Sequence, residues 1–183
     1  SQEKSSFSWY CKRAGEHKQP DLPQEFSFIN DCGGYWIGSP DEKVVYLTFD
    51  AGYENGNVEK ILDVLKEKQV SGAFFVLLHL VQDESELVRR MAAEGHLVCN
   101  HTAHHKDMSK ISDKSLFEKE LRELEEAYRA VTGSEIGRFY RPPEGRFNRE
   151  NLEMATEQGY YALTAYERFK AGKTSLYDMT DVK

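Results

Sequence analysis

The chain has 183 residues, enough for one domain with a buried core. Its 24 basic and 31 acidic residues leave a formal charge of −7, which argues against nucleic-acid or anionic-membrane partners. No apolar run reaches the roughly 20 residues of a transmembrane segment, and no signal peptide is visible at the Ser1-Gln2-Glu3-Lys4 start.

Residues 1–40 differ from the rest. They hold three of the five prolines (Pro20, Pro23 and Pro40) and the aromatics Phe7, Trp9, Tyr10 and Trp36, without sustained periodicity. This reads as an extended arm, a separate segment packing on a main body of residues 41–183. Cys11 and Cys32 both lie in it, and either pair as a disulfide outside the cytoplasm or stay as thiols. The absence of any CxxC pair excludes a structural zinc knot.

From residue 43 the pattern becomes regular. Residues 44–49 form a continuous β-branched and aromatic run, expected to be a strand buried on both faces. Val58, Ile61, Leu62 and Leu65 then trace the stripe of an amphipathic helix. Residues 73–78 read as a second strand, and Leu87, Val88, Met91 and Ala92 as a helix ending at Gly95. Residues 96–99 make a short third strand, in which Cys99 is a small core residue. A long helix spans about 113–132, with Phe117, Leu121, Leu124 and Tyr128 on one face and Gly133 as its stop. Residues 138–140 are a fourth strand, 149–158 a helix closed by Gly159, and 160–164 a fifth strand. Strand and helix alternating at this spacing predict parallel βαβ units, as a barrel or an open sheet.

In such α/β architectures the active site gathers at the carboxyl ends of the strands. Polar residues fall there in succession. Asp50 ends strand one, ahead of Tyr53, and His79 ends strand two. Strand three runs into Asn100, His101, Thr102, Ala103, His104 and His105; strand four ends in Arg141, Pro142, Pro143, Glu144 and Gly145. His101 and His105, four apart, would face one side of a helical turn and suit a divalent metal, with His104 pointing elsewhere. Asp50 after an apolar strand calls for a partner or a catalytic role. Arg141, before two stiff prolines, offers a rigid fork able to hold that carboxylate bidentately.

The segments Thr48-Phe49-Asp50, His101-Thr102-x-x-His105 and Arg141-Pro142-Pro143-x-Gly145 resemble, in order and spacing, the first three motifs of the NodB-homology polysaccharide deacetylases, carbohydrate esterase family four. The resemblance covers about residues 41–165. The run from Thr48 to Gly56, with upstream His17-Lys18-Gln19-Pro20 and Gly33 to Gly38, is similar to the delta-lactam-biosynthetic de-N-acetylase branch, which acts on muramic acid of spore-cortex peptidoglycan. It implies a distorted (β/α) barrel of parallel strands and an extracytoplasmic, cell-wall or spore-associated enzyme. It also implies a divalent cation such as zinc on His101 and His105, and Asp50 as the base that takes a proton from water. Arg141 would hold Asp50, the cation and a backbone N–H would meet the oxyanion, and His79, Tyr53 and Pro143 would line the glycan groove.

The pattern is departed from twice. Where most of the family has a second aspartate as a third metal ligand, and this branch asparagine, the chain has Ala51. No histidine follows His105, so the family's late strands and general-acid histidine are expected to be missing or diverged. That expectation implies little activity and an open sheet edge, available for self-association or covered by residues 1–40 or 166–183. The competing reading is a truncated or catalytically dead deacetylase fold that binds carbohydrate. A Rossmann domain is excluded, since no GxGxxG or GxxxxGK[ST] follows any strand.

Overall fold

The computed structural model of the protein describes residues 6–8, 20–39 and 46–164. In chain order the strands are β1 (Phe7–Ser8), β2 (Thr48–Ala51), β3 (Ala73–Val76), β4 (Leu97–Asn100), β5 (Gly137–Tyr140), β6 (Arg146–Phe147) and β7 (Tyr161–Ala162). The helices are α1 (Phe28–Asp31), α2 (Val58–Lys68), α3 (Leu78–Asp83), α4 (Ser85–Ala93), α5 (Lys114–Thr132) and α6 (Arg149–Glu157). Strands β2, β3, β4, β5 and β7 form one parallel sheet and lie side by side in that order. A doubly wound sheet reverses its order at a switch point. Here the progression never reverses, as in a barrel wall.

The helices pack on one another and on this wall, α4 and α5 against β4 and α6 against β7, and α5 shows why. Asp113 caps it by accepting from the N–H groups of Ser115 at 2.8 Å and Leu116 at 3.4 Å. Phe117, Leu121, Leu124 and Tyr128 follow at helical spacing and are all buried, each contributing on the order of 2 kcal/mol. Gly133, at φ 72°, then turns the chain left-handed and ends the helix.

Several expectations are corrected. Within the described residues the first strand is Thr48–Ala51, so Tyr46 and Leu47 precede it and it runs on to Ala51; Val44 and Val45, the start of the expected strand, lie outside the described residues. Only Ala51 of it is buried, because among the described residues β2 has a strand neighbour on one side alone. The second strand stops at Val76, and Leu78, Leu80 and Val81 of the same apolar run are buried in α3. Residues 20–39 are partly helical, with a 3-10 turn at Gln24–Phe26 and then α1. Phe7 meets Phe26 and Phe28, and both of these meet Phe147 of β6, with ring centroids 5.4 to 6.1 Å apart. Tyr35 lies along β7, donating its N–H to Ala162 O at 2.7 Å and accepting from Thr164 N–H at 2.9 Å. Cys32 and Cys99 are buried free thiols; Cys11, the disulfide partner the sequence suggested, lies outside the described residues. Burial pushes the Cys99 thiol up to about 12.

His96 ties stability to pH. Its Nδ1 accepts the Gly72 N–H at 3.2 Å, so that nitrogen is unprotonated and the buried ring neutral. Burial holds its pKa below the ordinary value. The unfolded chain, with histidine near 6.5, therefore binds the extra proton first as pH falls. Stability is full above roughly pH 6.5 and declines until the folded pKa is passed. Urea midpoints measured between about pH 7 and 5 are expected to fall. His96→Gln, whose oxygen can take the Gly72 N–H, is expected to flatten the slope, and an unchanged slope would remove His96 as its source.

Candidate active site

The site is built on the carboxyl ends of β2, β4 and β5. Thr48 and Asp50 stand two apart on β2, so both side chains leave the same face. Arg141, just past β5, reaches both. Its Nη1 donates to Asp50 Oδ1 at 2.6 Å and its Nη2 to Thr48 Oγ1 at 2.9 Å. The guanidinium carbon sits 4.2 Å from the centroid of the Phe75 ring. The Arg141 side chain is 8% exposed and that of Asp50 26%, so the carboxylate alone opens to solvent. The expected bidentate grip on one carboxylate is corrected: the fork divides, because the Thr48 hydroxyl offers a second acceptor on the same strand face.

The backbone of Arg141 holds the neighbouring element. Its N–H donates to the Asn100 carbonyl at 3.0 Å, and its carbonyl lies 2.8 Å from His101 Nδ1. A carbonyl only accepts, so Nδ1 carries the proton and Nε2 keeps its lone pair. Burial pushes the His101 pKa down, more than nearby Asp50 and the Arg141 carbonyl raise it. The imidazole is thereby neutral, with the lone pair of Nε2 unused by its anchor.

His105 comes to the same place by a different route from the one expected. Residues 101–107 form no helix. Thr102 and His105 are both left-handed, at φ 75° and 53°. Thr102 N–H donates to Asn100 Oδ1 at 2.8 Å, and Thr102 Oγ1 accepts the His105 N–H at 3.0 Å. These side-chain acceptors compete with helical hydrogen bonding and win. The two rings end with centroids 5.0 Å apart and planes crossed at 72°. His104 turns to α5 instead: its Nδ1 is 3.1 Å from Glu120 Oε1, and its N–H donates to Oε2 at 3.0 Å. Burial raises the Glu120 pKa, but hydrogen bonds from Lys106 and His104 outweigh it and leave the carboxyl below its ordinary value.

Among the sequence candidates, Asp50, Arg141, His101 and His105 are thus brought together. Tyr53 and His79 form their own pair, ring centroids 4.6 Å apart, with Tyr53 69% exposed. His79 belongs to α3 rather than a strand end, and its Nδ1 meets Asp83 at 3.0 Å. Pro143 is buried in the 3-10 turn Pro143–Gly145, so it presents little surface to a glycan. Sequence reasoning assigned no role to Phe75, Asn100 or Glu120. Asn100, a polar residue closing an apolar strand beside a histidine, carried a usable signal; Glu120, on a helix rich in acids, carried none.

The donor set fits a divalent cation in part. Two imidazoles stand side by side, that of His101 with its tautomer fixed so that Nε2 could ligate. Ala51 is buried and brings no donor atom, and among the described residues no group of three His, Cys, Asp or Glu is placed to hold a metal. The histidines would supply two positions of a metal site and leave the others to water.

A sequence profile of the polysaccharide deacetylase family matches residues 37–163. The chain is 39% identical over 158 residues to the peptidoglycan-N-acetylmuramic acid deacetylase PdaA of Bacillus subtilis, covering 85% of this chain and 59% of that protein. The solved PdaA structure superposes with a TM-score of 0.83 at 37% identity, over 87% of this chain and 68% of that one. A family 4 carbohydrate esterase from Bacillus anthracis gives 0.78 at 35% identity, over 89% and 74%. A chitooligosaccharide deacetylase of Rhizobium leguminosarum bv. trifolii is 48% identical over 87 residues, 48% of this chain and 40% of that protein. The chain therefore spans under two thirds of the length of these curated relatives, yet the family match takes in Asp50, both histidines and Arg141 at one end of a one-directional parallel sheet. It belongs to the polysaccharide deacetylase family.

Proposed function

We propose that the protein hydrolyses N-acetyl groups of cell-wall glycan with the help of a divalent metal, its substrate being N-acetylmuramic acid of peptidoglycan on the route to muramic delta-lactam. The observation that carries this is one carboxylate, Asp50, held by Arg141 beside two imidazoles. The muramic substrate is favoured over chitooligosaccharide because the PdaA likeness extends over 85% of the chain and the chitooligosaccharide one over 48%. Such a substrate places the protein outside the cytoplasm, at the wall of a vegetative cell or spore.

In this reading Asp50 takes the proton from the attacking water. Arg141, by fixing Oδ1, sets where the other carboxylate oxygen points. His101, through Nε2, and His105 would hold the cation, and Tyr53 with His79 would border the sugar. A bound divalent ion of the zinc type supplies polarisation of the acetyl carbonyl and a lowered pKa for water.

With two protein ligands and Ala51 between strand and loop, metal affinity is expected to be weak. Dialysis against a chelator should strip the site fully, and calorimetric titration with Zn²⁺ should give one site that His101→Ala abolishes. Tight binding that survives the chelator would show a further protein ligand. The function itself is tested by acetate release from peptide-stripped peptidoglycan and from chitooligosaccharide, with Zn²⁺ or Co²⁺ and with chelator. Metal-dependent release from the muramic glycan is expected, at the low rate implied by the lack of a histidine after His105 in this sequence. Binding of the glycan without release favours the carbohydrate-binding reading, for which the missing third ligand at Ala51 is the specific support.

A further inference from the structure

The histidine loop contains two left-handed residues that are not glycine, and one of them, Thr102, is β-branched. Such a conformation persists only where its surroundings impose it. The imposing group is the side chain of Asn100, which is fully buried at the end of β4. Its Nδ2 donates to Leu121 O of α5 at 3.0 Å and to Tyr160 Oη at 3.0 Å. Both amide protons are thereby used and Oδ1 is left facing Thr102 N–H at 2.8 Å, so the amide has one consistent orientation. Tyr160 is committed in turn: its hydroxyl donates to Glu125 Oε1 at 2.6 Å, which pairs with Arg138 at 3.2 Å, leaving its lone pair for Asn100.

We propose that Asn100, anchored by Tyr160, is a positioning residue that shapes the loop after β4 and so sets the spacing of His101 and His105. The relay runs from Asn100 Oδ1 to Thr102 N–H, and from Thr102 Oγ1 to His105 N–H. His101 has its own anchor in the Arg141 carbonyl, so loss of Asn100 displaces His105 relative to a fixed His101. The metal part of this rests on the proposed function; the loop part does not.

The test uses the whole chain and Co²⁺ alone as probe, followed by its visible absorption, with imidazole NMR on the metal-free protein. Asn100→Ala is expected to weaken Co²⁺ binding about 10–100-fold. The His101 Nδ1–H signal should persist while the His105 ring signals shift and broaden. Tyr160→Phe leaves the Asn100 side chain in place and removes its hydroxyl anchor together with that hydroxyl's bond to Glu125, and is expected to lose no more than about tenfold, with the same His105 signals affected. Wild-type affinity and unchanged His105 signals in Asn100→Ala overturn the proposal. Should that variant not fold, unchanged affinity and signals in Tyr160→Phe overturn it instead. If the wild type takes up no Co²⁺, or His101→Ala binds it equally well, the metal reading fails, and the metal-free NMR comparison still decides the role of Asn100.

Discussion

Replacing Asp50 by Asn is expected to lower acetate release by about 10²–10⁴-fold with little change in stability, the range a positioned general base contributes. Asparagine has the same shape and keeps an oxygen to accept from Arg141 Nη1, which reaches Asp50 at 2.6 Å. What it lacks is the basicity needed to take a proton from water. A cation held by His101 and His105, as proposed, would not be touched directly, so Co²⁺ titration should give a similar affinity while kcat collapses. Melting curves separate this from misfolding. Release within tenfold of the wild type would move the base elsewhere, and a parallel loss of Co²⁺ affinity would make Asp50 a ligand instead.

Most of the scaffold was legible because its signals are strong and local. The stripe of Phe117, Leu121, Leu124 and Tyr128, with a Gly133 stop, matches α5 nearly to the residue. The site was legible for a different reason. Parallel βα units put every strand's carboxyl end on one side, so Asp50, His101 and Arg141, distant in sequence, were bound to share it. What failed was anything decided by competition between near-equal local options. The apolar run after Val76 could continue as strand or turn into helix, and the need to bury Leu78, Leu80 and Val81 chose helix, carrying His79 with it. The four-residue histidine spacing suggested a helical turn, but Asn100 and Thr102 supply acceptors that favour two left-handed residues. The divided fork of Arg141 depended on a hydroxyl at Thr48 whose strand register sequence alone does not display.

Arg141→Lys should separate the two halves of the site. Lysine places one charge where arginine places a planar fork, so it cannot serve both Asp50 and Thr48, nor lie flat on Phe75. A carboxylate released from its grip by even about 1 Å is expected to lose on the order of 10²-fold in kcat. The contact to His101, by contrast, comes from the residue's carbonyl and not its side chain. Co²⁺ affinity should therefore survive the change to lysine while acetate release does not. Arg141→Ala goes further and leaves Thr48, Asp50 and the Phe75 face unpartnered. Breaking a fully buried ion pair costs about 3–5 kcal/mol. With Asp50 26% exposed, water recovers part of that, and a loss of about 1.5–3 kcal/mol is expected from denaturant titration. If instead Arg141→Lys loses metal and activity together, the guanidinium, and not the backbone, is what holds His101 in place.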